Sequence, residues 1–197
     1  MVGTENNVSN YYNVSNGKVV RSFGKTKPDG FETTSRVNKN GDTVYEQNFD
    51  FIQGKIVNVS LDTHEEYGDH IKLSLSDGQS VAELQIKFDS SYGRSFLFKL
   101  PNFKYSDDVK IKPYSFVDKK DGRTVTGLNL LANNVKVSNY YTKDTPNGLP
   151  QLKKVKFNGK DQWDKTEQLE FLKAKFFEFS ANFKEVNEVD SIDDINF

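Results

Sequence analysis

The chain has 197 residues, no cysteine, two histidines and a formal net charge of −1. This length fits one domain with small extensions, and the lack of cysteine excludes disulfide frameworks, thiolate zinc sites and cysteine nucleophiles. No stretch approaches the roughly 20 apolar residues of a membrane span, and the polar residues 1–10 lack a signal-peptide core. We therefore expect a cytoplasmic protein with a flexible N-terminus.

Turn signals divide the chain into short segments. Seven Asn-Gly or Asp-Gly pairs tolerate positive φ and favour tight hairpin turns. They are Asn16-Gly17, Asp29-Gly30, Asn40-Gly41, Asp77-Gly78, Asp121-Gly122, Asn147-Gly148 and Asn158-Gly159. Short strands separated by such turns predict an antiparallel barrel or sandwich.

The predicted strands follow from apolar alternation between these turns. In chain order they are Val14–Gly24, Phe31–Val37, Val44–Leu61, the hairpin His70–Phe88, Ser95–Leu100, Val109–Asp118, Thr124–Leu131 and Asn134–Thr142. The hairpin has the clearest pattern, because its apolar residues occupy every second position on both sides of Asp77-Gly78. Gly54 and Gly127 interrupt their strands and predict a bulge or a sharp bend. Residues 143–160, rich in Pro and Gly, are predicted to be a connecting loop.

One helix is predicted at about residues 162–184. Asp164 followed by Glu167 is typical of a capping pair. An apolar stripe with helical spacing comes next, formed by Leu169, Leu172, Phe176, Phe179 and Phe183. This stripe is expected to pack on the sheet, and a homodimer contact is the alternative.

The C-terminal segment, residues 185–197, carries five carboxylates and no Lys or Arg. Such a composition predicts a disordered tail. Without those five acids, positions 1–184 hold 27 basic and 23 acidic residues, so the body is near +4. A mildly basic body favours binding to phosphates, and the tail can compete for the same surface.

The last five residues, Asp193-Asp194-Ile195-Asn196-Phe197, resemble the C-terminal tip of single-stranded DNA-binding proteins from bacteria and tailed phages. In that family an acidic stretch ends in a small apolar tip with a terminal Phe, attached to an oligonucleotide-binding (OB) β-barrel. Asn196 stands where the common bacterial tip has Pro, and the size and layout are more like the phage members. The resemblance implies that Asp193, Asp194, Ile195 and Phe197 bind partner proteins of replication or recombination: a polymerase, a helicase or primase, or a nuclease.

The resemblance also implies a domain layout. Residues 11–184 would form a mainly β, OB-fold antiparallel barrel with an N-terminal β extension and the C-terminal helix. The long run Val44–Leu61, bent at Gly54, suits the first strand of such a barrel, which contributes to both halves of the sheet. Residues 1–10 would be flexible, and residues 185–197 would be the partner-binding tail.

Aromatic and basic residues alternate on several predicted strands. On Val109–Asp118 the odd positions Val109, Ile111, Ser115 and Val117 suit a core, while Pro113 would mark a bulge or an edge. The even positions Lys110, Lys112, Tyr114 and Phe116 would form an exposed face. Rings stack on unpaired bases and cations pair with phosphates, so such a face is typical of single-stranded DNA binding.

Further candidate DNA-binding residues lie on other segments. They are Arg21, Phe23, Lys25, Lys72, Tyr92, Arg94, Lys119, Lys120 and Arg123. The last three belong to a turn, and loops beside the binding face of an OB fold act as clamps. Solvated turn charges and rings that cover hydrophobic surface are the ordinary alternatives.

Catalytic patterns are weak in this sequence. His64 and His70 are flanked by acidic residues, but a polar loop explains them better than a metal site, and the sequence contains neither a phosphate-binding loop nor a nucleophile elbow. We therefore predict a non-enzymatic protein that needs no cofactor or metal. Two alternatives remain: a β-sandwich structural or interaction module, such as a virion component, and an RNA-binding OB protein.

Overall fold

The computed structural model describes residues 10–104 and 107–193, with only the backbone given for residues 182–193. Within these residues the chain forms twelve strands, two α-helices and a short 3-10 turn at Leu100–Asn102. The strands are β1 (Tyr11–Ser15), β2 (Lys18–Ser22), β3 (Thr34–Val37), β4 (Thr43–Phe49), β5 (Ile52–His64), β6 (Gly68–Ser76), β7 (Val81–Lys87), β8 (Asp108–Val117), β9 (Thr124–Ala132), β10 (Val135–Lys136), β11 (Lys153–Phe157) and β12 (Lys160–Asp164). The helices are α1 (Ser91–Leu97) and α2 (Thr166–Asp193). The predicted mainly β class is confirmed.

Ten strands form one continuous sheet in the order β10-β9-β8-β5-β6-β7-β1-β2-β4-β3, and β11 pairs only with β12. The order β8-β5-β6-β7 places a fourth strand beside the first, which is a Greek key. Strands β1 to β4 extend this sheet beyond β7, as predicted for the N-terminal extension. A single continuous sheet differs from the two packed sheets of the alternative sandwich.

The predicted antiparallel barrel is not closed, because the described strands of the large sheet leave it open. Strand β7 pairs with the N-terminal strand β1, in parallel and with Tyr12 opposite Leu84. That pairing uses the backbone hydrogen bonds of the β7 edge at which a barrel would have to close. The sheet therefore continues into the N-terminal extension.

Strand β5 contributes to both halves of the sheet, as the sequence predicted for the long bent strand. Its first residues pair with β8, from Ile52 opposite Ile111 to Lys55 opposite Asp108. From Lys55 onward it pairs with β6. Gly54 lies at this change of partner, where an added side-chain carbon would be 2.7 Å from the Ser76 carbonyl oxygen. Glycine is therefore required by the close approach of β6, and the register shift of the β5–β6 pair follows later, between Ile56 and Asn58.

Several predicted strand boundaries change. The run Val14–Gly24 is a hairpin, β1 and β2, joined at Asn16-Gly17 with φ of 49° and 74°. The run Val44–Leu61 is two strands, β4 and β5. Of Asn134–Thr142 only the two residues of β10 are strand, and Phe31 lies before β3. The hairpin His70–Phe88 is confirmed, with Leu73 opposite Leu84.

The predicted strand Ser95–Leu100 is wrong, because this segment is the end of α1 and the start of the 3-10 turn. The Ser90 hydroxyl accepts a hydrogen bond from the Gly93 N–H at 3.0 Å and caps the helix. Phe96, Leu97 and Leu100 are all buried. Their spacing of one and three residues fits a helical turn better than strand alternation.

Helix α2 packs its apolar stripe on the sheet. Leu172 and Phe176 are buried in the core, and Leu169 and Phe179 pack against it. The stripe residue Phe183 lies outside the described side chains. The described residues of the stripe therefore pack in the core, as expected.

The ends of α2 differ from the prediction of about 162–184. The helix begins at Thr166, whose N–H and hydroxyl donate to the Asp164 carboxylate at 2.9 and 2.7 Å. Glu167 forms an ion pair with Lys153 instead of completing a capping box. The backbone stays helical to Asp193, past the predicted end at 184. The predicted loop 143–160 is also wrong in part, because it contains β11.

Candidate nucleic-acid interface

Strand β8 has two unlike sides over its first half. Val109 and Ile111 are fully buried, while Lys112 is exposed and Lys110 is half-buried. Pro113 is buried and sits within the strand opposite Leu128, without the predicted bulge. The alternation predicted for these residues is correct.

The second half of β8 extends past the core. Phe116 is 55% exposed, and its ring centroid lies 5.9 Å from that of Tyr114, with the planes 30° apart. Ser115 and Val117, predicted to suit the core, are exposed as well. The outer end of this strand therefore has exposed side chains on both sides, although Gly17 of the β1–β2 turn lies against the backbone of Tyr114 and Ser115.

Phe51 joins the same surface from the residue before β5. It is 47% exposed, and the Lys110 ammonium lies 4.5 Å from its ring centroid. This cation–π contact holds an exposed ring beside an exposed strand face. Sequence reasoning missed Phe51, because it placed this residue inside one long strand. The sequence signal that could have identified it is the pair of aromatic residues, Phe49 and Phe51, on either side of Asp50.

The orientation of the Tyr114 ring depends on the opposite strand. Tyr114 pairs with Gly127 in the β8–β9 register. A side-chain carbon at Gly127 would collide with the Tyr114 phenol, so the ring lies across the glycine. The register has no shift here, so Gly127 serves a close approach of a ring rather than the predicted bulge.

The turn between β8 and β9 adds charge at the end of this surface. Lys119 and Lys120 are exposed and make no ion pair with any described residue. Arg123 is different, because its Nε donates to Asp121 at 2.7 Å. This arginine lowers the pKa of the Asp121 carboxyl, and its own charge is largely balanced there.

We call this surface the β8 face. It comprises Phe51, Lys110, Lys112, Tyr114 and Phe116, with Lys119 and Lys120 in the adjoining turn. Asp50 is an acidic residue near Lys112, and it pairs with Lys18 at 2.6 Å. Lys18, and more weakly Lys112, lower the pKa of the Asp50 carboxyl. The surface therefore offers three rings and several lysines with little opposing charge.

Arg21, Phe23 and Lys25 do not form the exposed face predicted for them. Arg21 is only 8% exposed, and its guanidinium lies 5.1 and 5.4 Å from the ring centroids of Phe23 and Phe31. Lys25 forms an ion pair with Asp42 at 2.9 Å. The aromatic rings cover Arg21, which therefore stabilises the N-terminal extension, while Lys25 is exposed but has its charge paired with Asp42.

Lys72 is also unavailable as predicted. Its ammonium lies 3.0 Å from Asp62 and 3.7 Å from Glu83, on the neighbouring strands β5 and β7. The hydrogen bond to Asp62 and the nearby Glu83 raise the pKa of Lys72. Two carboxylates beside one lysine leave this part of the sheet unfavourable for phosphate.

Tyr92 and Arg94 lie on α1 and serve the fold. The Tyr92 hydroxyl accepts a hydrogen bond from the Gly17 N–H at 2.8 Å, which fixes the β1–β2 turn. Arg94 is half-buried, with its Nε enclosed by protein. Neither residue belongs to the β8 face.

The remaining predicted sites concern the tail and the histidines. Asp193 is the last described residue, and Asp194, Ile195 and Phe197 lie outside the described part of the chain. His64 stacks on Tyr67 with centroids 4.9 Å apart. Among the described residues there is no cluster of His, Asp or Glu with metal-binding geometry. No helix in that same part has the length and apolar character needed to cross a bilayer.

Comparison with protein-family models, with curated proteins and with solved structures finds no match. The resemblance of the last residues to the tip of single-stranded DNA-binding proteins is thus carried by the sequence alone. Any function must be argued from the geometry of the chain itself.

Proposed function

We propose that this protein binds single-stranded DNA through the β8 face, with little base preference. The observation that carries the proposal is a set of three rings beside lysines on one strand face, with Phe51 and Phe116 exposed and Tyr114 half-buried. Each base stacked on an aromatic ring contributes roughly 1–3 kcal/mol, and every base has a face to stack. Lysines beside the rings are suited to neutralise the phosphates between the bases.

The topology supports the same assignment. Strands β5 to β9 have Greek-key connectivity, and α1 lies between β7 and β8. OB folds, which are partly open Greek-key barrels, bind oligonucleotides on the face of their second and third strands and in the loops between strands one and two and strands four and five. The β8–β9 turn, with Lys119 and Lys120, corresponds to the loop between strands four and five and borders the β8 face.

The role would be stoichiometric rather than catalytic. The protein would coat the strand, remove hairpins and protect the DNA from nucleases during replication, recombination or repair. This activity requires no cofactor or metal. The C-terminal tail would recruit partner enzymes, and a phage-encoded protein would act in the host cytoplasm.

A salt titration of labelled oligo(dT) tests the proposal. We expect binding at micromolar protein in low salt, tighter than binding to a matched duplex, with log affinity falling linearly with log salt. Lys112→Ala is expected to reduce the magnitude of that slope by about 0.7, the value for one phosphate contact on a single strand. Lys25→Ala is the control, because Lys25 is also exposed but pairs with Asp42 on the N-terminal extension.

Absence of any complex in low salt contradicts the proposal and favours the structural or interaction module. Equal or tighter binding to a matched RNA oligonucleotide favours the RNA-binding alternative, because the surface then accommodates the 2′-hydroxyl. A Lys25→Ala slope change as large as that of Lys112→Ala would move the site away from the β8 face.

The tail has a separate expected effect. Deleting residues 185–197 removes five negative charges that compete with phosphates, so affinity for oligo(dT) should rise, most at low salt. Deleting Phe197 alone leaves these side-chain carboxylates in place and should leave DNA affinity unchanged, while partner binding is lost with the terminal ring. Both variants are measured by the same titration. Equal changes in DNA affinity for both variants would contradict a charge mechanism.

A further inference from the structure

The hairpin of β11 and β12 stands apart from the ten-stranded sheet. Its strands pair in register from Lys153 opposite Asp164 to Phe157 opposite Lys160, and they join at Asn158-Gly159. All five residues of β11 are exposed, and so are the first four of β12. An isolated two-stranded hairpin is only marginally stable in water, so exposed apolar side chains on this one require an explanation.

The hairpin is basic. Residues 153–164 contain four lysines and two aspartates. Lys153 pairs with Glu167 at the start of α2, and Lys154 lies 3.4 Å from Asp161. Lys156 and Lys160 form no ion pair with any described residue, and both are exposed. Two unbalanced cations therefore lie toward the tip.

Each side of the hairpin carries one exposed ring beside a lysine. Trp163 is 56% exposed, and the Lys154 ammonium lies 5.7 Å from its ring centroid. Phe157 is 61% exposed and pairs with Lys160. On either side, a ring with an adjacent cation is suited to one base and one phosphate of a single strand.

A cleft opens at the base of the hairpin, next to Trp163. It has a volume of about 740 Å³. Its walls include Phe98, Tyr141, Leu149 and Leu152, and Lys143 also lines it. An apolar cleft with an exposed indole at its edge and a cation nearby has room for an unstacked base and its phosphate.

We propose that the β11–β12 hairpin is a second contact for single-stranded DNA, distinct from the β8 face, with Trp163 as its stacking residue. This inference rests on the proposed function. The occupant is a nucleic acid rather than an acidic peptide, because Trp163 and the lysine beside it are then both used. The two contacts lie on different sheets, and the proposal requires an oligonucleotide long enough to reach both.

Trp163 is the single tryptophan of the chain, so its fluorescence reports on this contact alone. The full-length protein is titrated with oligo(dT) of about 30 nucleotides, longer than the roughly 4–16 nucleotides that one OB fold covers. Binding is followed in parallel by the anisotropy of a labelled oligonucleotide. We expect quenching of tryptophan fluorescence that saturates together with the anisotropy. Polyglutamate, which has charge but no bases, should leave the fluorescence unchanged.

Substitutions give the second measurement. Trp163→Ala is expected to weaken binding of the long oligonucleotide roughly 5- to 150-fold, the equivalent of one stacked base. Trp163→Phe keeps a ring and should bind nearly as wild type, which controls for folding of the hairpin. With an oligonucleotide of about 8 nucleotides, which one OB-type site can hold, Phe116→Ala should weaken binding and Trp163→Ala should have little effect.

The outcomes separate the two proposals. Anisotropy binding without quenching, or unchanged affinity of Trp163→Ala for the long oligonucleotide, overturns the second contact and leaves the proposed function standing. No binding by the wild-type protein overturns the proposed function, and the second contact with it. Quenching by polyglutamate overturns the assignment of the hairpin to nucleic acid.

Discussion

Replacing Phe116 by alanine is expected to weaken binding of oligo(dT) roughly 5- to 150-fold without changing the salt slope. Phe116 is 55% exposed and supports no core contact, so its ring is free to stack on a base, a contact of roughly 1–3 kcal/mol. Stacking releases no counterion, so the slope of log affinity against log salt should stay constant. Fluorescence anisotropy at several salt concentrations measures both quantities.

Phe177→Ala is the matched control for this substitution. Phe177 is 52% exposed, similar to Phe116, but it lies on α2. Loss of affinity in both variants would indicate a general effect of exposed rings and not a site on β8. Tyr114→Ala is a less clean test of stacking, because this ring covers Gly127 and its loss would disturb β9. Adding Phe51→Ala to Phe116→Ala should multiply the loss if both rings hold bases.

The sequence predicted the parts of the fold in which local pattern and tertiary context agree. The β6–β7 hairpin alternates strictly around Asp77-Gly78, and its buried residues are those expected. The strand prediction for the α1 segment failed because Phe96, Phe98 and Leu100 alternate as in a strand. The cap at Ser90 and the burial of Leu97 instead favour a helix. Sheet closure was not predictable, since it depends on whether β1 or a distant strand takes the edge of β7.

The candidate site was predicted only in part, for a related reason. Residues of β8 were found because alternation along one strand fixes which side faces out. Lys72 was misplaced because its partners Asp62 and Glu83 lie on other strands, and cross-strand pairing is not visible along the chain. Arg21 is covered by Phe31 from a loop ten residues away. Counting Lys and Arg along the sequence therefore overestimates the number of cations that are available to bind phosphate.

The missed β11–β12 hairpin shows the same limit. Asn158-Gly159 was recognised as a turn signal, but the alternation before it is limited to Val155 and Phe157, and Lys160–Asp164 after it has none, because both sides of the hairpin are exposed. Periodicity detects a strand only when one side is buried. Apolar periodicity in the sequence therefore does not predict exposed hairpins of this type.

The largest loss of stability is expected for Phe176→Ala. Phe176 is fully buried and meets Phe88 edge to face at 6.5 Å, so it joins α2 to the end of β7. Removing a buried phenyl ring costs about 3–5 kcal/mol through lost transfer free energy and the cavity left behind. For a protein of this size that corresponds to a fall in Tm of roughly 6–20 °C.

Phe177→Ala separates burial from helix propensity in the same experiment, because it removes the same ring from the next position of α2. Phe177 is half exposed, so thermal unfolding should shift little or slightly upward, as alanine is the better helix former. Ser180, whose hydroxyl donates to the Val59 carbonyl at 3.2 Å, and Lys173, paired with Asp69, hold α2 to the sheet in both variants. If the two variants lost equal stability, contacts other than the apolar stripe would hold α2 on the sheet. Since no residue of the β8 face belongs to the core cluster that contains Phe176, any Phe176→Ala protein that remains folded should bind oligo(dT) with unchanged affinity.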